Sequence, residues 1–437
     1  MLRRLSMALH ALHGALVYVA CGFGLSMLGV GWAQAFDEFG DDRAPCNFVL
    51  GSGERQLFFK GQLKLALHDL EGKGGPGYDS ITDFRTIGTR SPFVEVEAFR
   101  LALRLQILPG LNVNSEIEFA PAPTEVLGAW FDWVGAGPLG LWQHVEAGRH
   151  TPFVTIDRRT ARYPLAATIY WREPEMHLTY EVETPRAASF GARFGVSAAM
   201  ARPLGFAGVQ ESAAQRGSIN VLVYDAERVY SGVGPMWGAK LGLRALALEL
   251  EAFGFVGRLA DEGGVDELES NFDNYKDLYG VDASGAAVRD RRLMWGGGRV
   301  TLTLAGVHAL LEGIASREGR LARATAYGEL SYRLVRDASA PTLSRFEPLV
   351  RYEVYRLRHS DDVHAGDRAL RSPAPSQSVT WDFTVTTVAL ISELYRDLLE
   401  LRLEYYLIHE DNGVGALGIP TAQFRNNEFL AQLELRF

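Results

Sequence analysis

From Phe429 to its end the chain alternates without a fault. Phe429, Ala431, Leu433, Leu435 and Phe437 take one face; Leu430, Gln432, Glu434 and Arg436 take the other. A period of two, with one greasy face and one mostly polar face, predicts a β-strand. The pattern recurs upstream. Residues 57–68 set Phe59, Leu63, Leu65 and Leu67 against Lys60, Gln62, Lys64 and His68. Residues 99–107 set Phe99, Leu101, Leu103, Leu105 and Ile107 against Arg100, Arg104 and Gln106. After a Pro109-Gly110 turn, Leu111, Val113, Ile117 and Phe119 alternate with Asn112, Asn114, Glu116 and Glu118. Repeated segments of about ten residues with one apolar face are the signature of a transmembrane β-barrel.

The connections sort by length. Those at 69–91, 150–175, 258–291, 359–376 and 410–424 are long, those at 121–126 and 335–344 moderate, and those at 108–110, 135–139, 185–188, 244–246, 305–306 and 391–394 short. In strand order the long ones fall on one side, as in barrels with short periplasmic turns and long external loops. Residues 218–227 also read as a strand, but counting them gives seventeen, and single-chain bacterial barrels have even numbers. The region 200–235 is therefore expected to be one external loop containing a short ribbon. The predicted fold is all-β, a transmembrane antiparallel β-barrel of sixteen strands. Eighteen is the alternative, if the ribbon pairs with a further strand.

The N-terminus changes the picture by removing itself. Arg3 and Arg4 precede an apolar run, clearest from Leu16 to Trp32, and Ala33-Gln34-Ala35 forms a small-x-small cleavage site. Residues 1–35 read as a secretory signal peptide, 36–55 as an N-terminal periplasmic segment and 56–437 as the barrel. No later stretch approaches the roughly 20 apolar residues of a membrane helix, so a membrane protein built from this chain must be a barrel. The chain has 44 basic and 53 acidic residues; loss of Arg3 and Arg4 with the signal leaves a net charge of −11, which argues against nucleic acid as a partner. Cys46 is then the one cysteine left, with no disulfide framework and no cysteine metal site.

With the strands placed, the chain resembles the phosphate-selective porin O/P family over nearly all of its mature length. Lys60-Gly61-Gln62-Leu63 looks like that family's opening strand. The stretch from Ala129 to Trp133, followed by Val145 to Phe153, is similar to its fourth and fifth strands and their Gly-x-x-x-Pro-Phe run. Phe346 to Tyr352 looks like a late strand, and the terminal Leu-Glu-Leu-Arg-Phe like the closing one. The resemblance implies a sixteen-stranded, often trimeric diffusion channel in the Gram-negative outer membrane. It also implies that Phe437 is the terminal aromatic read by the outer-membrane assembly machinery, and that the loop 150–175 folds into the lumen. Alginate-export-type barrels, which pass a polysaccharide, are a neighbouring possibility.

If the apolar faces meet lipid, the opposite faces line the lumen. That assigns inward Lys60, Lys64, Arg100, Arg104, Glu116 and Glu118, then Glu249, Glu251, Glu347, Arg351, Glu353, Glu400, Arg402, Glu404, Glu434 and Arg436. Unpaired buried charge is expensive, and a watery interior removes that cost. The loop 150–175 carries Arg158, Arg159, Arg162 and Arg172 against Asp157, Glu173 and Glu175, with Arg149 at its start. Guanidinium groups at a constriction favour anions and match phosphate or carboxylate geometry. Arg158, Arg159 and Arg162, with Asp157, are therefore expected to bias the channel towards small anions such as phosphate. The alternative is that the loop packs on the wall and its arginines pair locally. Because the predicted lumen is rich in Glu as well as in Lys and Arg, a broader pore for hydrophilic solutes suits it better than a dedicated phosphate path.

Catalysis finds little purchase. There is no HExxH, no GxSxG elbow and no P-loop, so no catalytic residue, cofactor or metal is expected. His359, His364 and Asp367 are the loop candidates for an enzymatic barrel, and a plugged structural barrel is a third class. The acidic run Asp261–Asp277 lacks EF-hand spacing and reads as a solvated external loop. The expected partners are outer-membrane lipids, small hydrophilic solutes or anions, the assembly machinery and, as a homotrimer, further copies of the chain.

Overall fold

Alternating side chains need a sheet whose two faces meet different surroundings, and the chain builds one by closing on itself. The computed structural model describes residues 48–50, 56–70, 92–120, 124–137, 140–150, 159–161, 164–168, 175–184, 190–200, 204–207, 221–224, 235–258, 292–318, 321–335, 342–358, 381–412 and 427–437. The expected signal peptide lies outside the described residues. The long strands are β1 (Gln56–Leu70), β2 (Phe93–Leu108), β3 (Leu111–Ala120), β4 (Glu125–Ala136), β5 (Trp142–His150), β6 (Glu175–Glu183), β7 (Phe190–Met200) and β8 (Pro235–Ala245). There follow β9 (Leu248–Arg258), β10 (Arg292–Leu304), β11 (Val307–Glu318), β12 (Leu321–Tyr332), β13 (Thr342–Arg358), β14 (Trp381–Tyr395), β15 (Leu399–Asn412) and β16 (Glu428–Arg436).

Each strand pairs antiparallel with its sequence neighbours, and β16 pairs with β1 from Gln62↔Arg436 to Leu70↔Glu428. The sheet is a closed barrel of sixteen long strands. Beyond the last pair, Phe437 and Gly61 exchange both backbone hydrogen bonds, at 3.0 and 2.5 Å. The strands β7 and β8 pair along their whole length, and the connection between them holds a separate ribbon, Leu204–Ala207 against Val221–Tyr224. That is the arrangement the even count required. Two short pieces extend the sheet: Leu334–Val335 continues β12 along β13, and Phe48–Leu50 pairs with Leu57–Phe59 of β1. The second was unexpected, and it covers the stretch of β1 that projects past the C-terminus.

The faces divide as the alternation demands. On β1, Gln62, Lys64, Ala66 and His68 are buried inward, while Leu67 is exposed on the outer face. Phe131, Phe194, Trp237, Leu311, Leu330, Val350, Tyr352 and Val388 stand exposed on the same outer side, an apolar surface fit for lipid. One irregularity protects this division. The pairing Lys64↔Ala98 is followed by Leu65↔Val96, so Glu97 is an extra residue in β2. The bulge exchanges odd for even, and Val94 and Val96 before it share the outer face with Phe99, Leu101 and Leu105 after it.

At one end the strands join by tight turns, among them 109–110, 246–247, 305–306 and 396–398. The other end carries the long connections, although 121–124 and 319–320 are short there too. In the 305–306 turn both residues have positive φ, 49° for Ala305 and 85° for Gly306, the left-handed pair that a two-residue hairpin prefers. Alanine in that region costs about 1–2 kcal/mol, whereas asparagine tolerates it. Ala305→Asn is expected to raise barrel stability by up to about 1 kcal/mol, read as a higher urea midpoint in lipid vesicles.

Candidate functional site: the lumen wall and the segment that crosses it

The connection from β5 to β6 does not stay near its roots. Its described residues, 159–161 and 164–168 with a 3-10 turn at Leu165–Thr168, lie against β12, β13 and β15, half of the circuit away. Arg159 Nη1 donates to Ser331 Oγ at 2.8 Å and stands 3.5 Å from Glu329, while its Nη2 pairs with Glu347. Arg351 Nη1 donates to Thr160 Oγ1 at 2.8 Å. The backbone N–H of Ala161 donates to Glu404 at 2.8 and 3.1 Å, and that of Leu165 to Glu353 at 2.5 Å. Ala161 and Ala166 are fully buried, so small side chains let this backbone approach the wall closely. These residues, fastened to the inner wall opposite the strands they connect, are the strap.

The wall behind the strap is dense with paired charges. Arg351, wholly buried, holds Glu353 at 2.7 Å and Glu329 at 3.7 Å, and Tyr406 donates its hydroxyl to Glu404. Nearer the tight-turn end, Glu393, Glu400 and Glu434 stand directly opposite one another on β14, β15 and β16. Like charges in register destabilise a sheet, and cations from neighbouring positions compensate them. Arg345 reaches Glu400 at 2.5 Å, Arg402 reaches Glu400 at 2.7 Å and Glu434 at 3.3 Å, and Arg436 reaches Glu434 at 2.6 Å. Lys64 stands 3.9 Å from Glu434, which also accepts from Gln62 Nε2 at 2.7 Å. This ladder bridges the closing seam between β16 and β1.

Three other clusters line the wall. Arg100 pairs with Glu118 and lies 3.8 Å from Glu116, and Arg104 donates to Asn114 at 2.8 Å. Lys240 lies between Glu181 and Glu251 at 3.1 and 3.8 Å, with Arg299 on Glu312 at 2.6 Å. On β5 and β6, His150 and His177 converge on one oxygen of Glu146 at 2.8 and 2.6 Å, and Trp130 stacks on His150 with centroids 4.0 Å apart. Among the described residues no group of three or more His, Cys, Asp or Glu is arranged to hold a metal ion.

The structure thus places Lys64, Arg100, Arg104, Glu116, Glu118, Arg351, Glu400, Arg402, Glu404 and Arg436 in contact on the inner wall, with Lys60 on the same face of β1. Of the loop residues, Arg159 is on the opposite wall; Asp157, Arg158 and Arg162 lie outside the described residues, as do the 261–277 run and His359, His364 and Asp367. Arg149 is at the strand edge, donating to the carbonyl of Val126 at 3.0 Å. Sequence reasoning missed Glu329, Glu146, His177 and Asp132, which accepts from Asn112 Nδ2 at 2.9 Å and from Asn114 Nδ2. Period-two extrapolation along β12 and β5 reaches Glu329 and Glu146, but only pairing across strands shows what they bind.

No known protein-family profile matches the chain, and no curated protein matches it in sequence. Solved structures do. The outer membrane channel DcaP of Acinetobacter baumannii aligns over 88% of this chain and 97% of its own, with TM-score 0.52 and 9% identity. OmpF of Salmonella typhi, solved with daunomycin, aligns over 89% and 100%, with TM-score 0.52 and 9% identity. OprB of Pseudomonas putida aligns over 87% and 94%, with TM-score 0.50 and 10% identity. The chain has the porin fold. At such identities the likeness is one of architecture, and the residues on the wall are this chain's own.

Proposed function

We propose that the protein is a porin of the Gram-negative outer membrane, a water-filled channel through which small hydrophilic solutes diffuse. The observation that carries this reading is the strap. A segment rooted between β5 and β6 and fastened to β12, β13 and β15 narrows a lumen whose walls are charged, which suits small solutes over a polymer such as alginate. The apolar outer face supports outer-membrane lipid as the surroundings. The narrower relationship to the phosphate-selective O/P family, the homotrimer and recognition of Phe437 by the assembly machinery rest on the motif resemblance. The anion bias expected of Arg158, Arg159 and Arg162 has lost one contributor, because Arg159 is committed to Glu347, Glu329 and Ser331.

Purified protein in planar bilayers is expected to conduct steadily. Replacing residues 159–166 with a short Gly-Ser link is expected to raise the single-channel conductance severalfold by unblocking the lumen. A barrel that stays closed in both forms would overturn the reading.

A further inference from the structure

We infer that the inner wall where β5 meets β6 holds a proton-responsive site, Glu146 with His144, His150 and His177. Acidification charges it and makes the lumen more favourable to anions. The inference deepens the channel reading and rests on it. Glu146, Gly148 and His150 follow one another on the inner face of β5. A side chain on Gly148 would run into the backbone of Ala129 and Trp130, so that position stays open. Its cross-strand partner His177 therefore meets Glu146 at 2.6 Å, with its ring centroid 6.4 Å from that of His150. His144 completes the group, its Nε2 3.9 Å from the second oxygen of Glu146.

The geometry fixes what protons can do here. A carboxylate only accepts, so His150 Nδ1 and His177 Nε2 both donate to the one oxygen they share. An added proton goes to the far nitrogen of either ring. It turns a neutral donor into a charge-assisted one and adds a positive charge to the wall. Imidazole is the side chain that takes up charge between roughly pH 8 and pH 5. The His177 side chain is sealed, while those of His144 and His150 are 20% and 23% exposed and open the group to the lumen. On β4, Asp132 stands opposite Glu146 and accepts from Asn112 and Asn114 of β3. On β6, Glu175 and Glu181 are the register partners of His150 and His144, and Lys240 of β8 holds Glu181 at 3.1 Å. On β7, Ala199 faces His177, and Ser197 bonds Thr179. Arg149 alternates to the other face of β5 and donates to the carbonyl of Val126. A positive charge placed on these rings therefore has Glu146 and Asp132 of opposite sign beside it.

The zero-current potential across a KCl gradient, measured on the purified protein at about pH 8 and at about pH 5, tests this. The gradient is centred near about 0.1 M, where the screening length is about 10 Å. Permanent charges elsewhere on the wall contribute equally at both values, so the change is the readout and the absolute sign is not. The expected change on acidification is towards Cl− preference. The other histidines of the chain add to it, and His150→Gln/His177→Gln separates their share. That double variant keeps an amide N–H for Glu146 at both positions and is expected to lose the larger part of the change, with heat-modifiable gel mobility confirming a folded barrel. Should it fail to fold, His150→Gln alone, at the more exposed ring, is expected to lose a smaller part. A parent whose potential does not move, or moves towards K+ preference, would overturn the inference and leave the channel standing. A variant that changes as far as its parent would overturn the assignment to this group. No conductance at either pH would overturn the channel reading, and the inference with it.

Discussion

Gly61→Leu is expected to cost the barrel its closed state, more than any other single change on the outer face. Gly61 and Phe437 are cross-strand partners that exchange both backbone hydrogen bonds, and a Cβ built on Gly61 would run into the Phe437 ring. The glycine is what lets the terminal aromatic lie flat along β1. A leucine there must displace the ring or the strand end, and overpacking of this kind costs about 1–3 kcal/mol. The location magnifies it. The β1–β16 seam joins the first long strand to the last, and an opened seam leaves rows of N–H and C=O groups unpaired in lipid at several kcal/mol each. The measurement is the folded fraction in detergent and in vesicles, read as the heat-modifiable band. A folded fraction equal to that of the parent would show that the ring moves aside freely. Gly61→Leu/Phe437→Ala, folded from urea, is expected to recover part of the loss by removing the clash. In cells the same double variant should not recover, if Phe437 is also the residue read during assembly.

What could be read from the residues alone follows from what alternation encodes. A period of two fixes which side chains share a face, so it puts Lys64, Arg100, Glu116, Arg402 and Glu434 on one side without reference to any contact. An even count and the loop lengths make 200–235 an excursion with a short ribbon in it, and the structure puts that ribbon at 204–207 and 221–224. Alternation cannot encode partners. Arg159 looked available to a passing anion because the strand segments holding Glu329 and Glu347 are far away in sequence and meet it only when the barrel closes. Local rules also mislead where they are interrupted. The bulge at Glu97 leaves Val94 and Val96 on the opposite parity to Phe99 and Leu101, and only the register with β1 reveals it. The Phe48–Leu50 strand is too short to show a period at all. The three-carboxylate row Glu393, Glu400 and Glu434 is invisible for the same reason as the strap. Each residue is one unremarkable polar position until three strands align.

Arg351 ties the strap to the wall, and Arg351→Met is expected to be the most damaging substitution on the inner wall. The guanidinium is wholly buried, holds Glu353 and Glu329, and donates to Thr160 of the strap. Methionine keeps most of the volume and removes the charge, so the loss is electrostatic. Taking one partner from a buried ion pair costs about 3–5 kcal/mol, because the carboxylates left behind stay buried without compensation. Two consequences separate stability from function. The urea midpoint should fall, and Arg351→Met/Glu353→Gln should recover much of that fall, since neutralising Glu353 removes part of the stranded charge. Conductance should respond differently. Thr160 loses its donor in both variants, so the strap loosens in both, and open-channel current should be higher and noisier than in the parent even where stability returns. Equal stability losses in the single and double variants would mean that Arg351 acts through packing, and a steady current of parental size in both would mean that the strap is held without it.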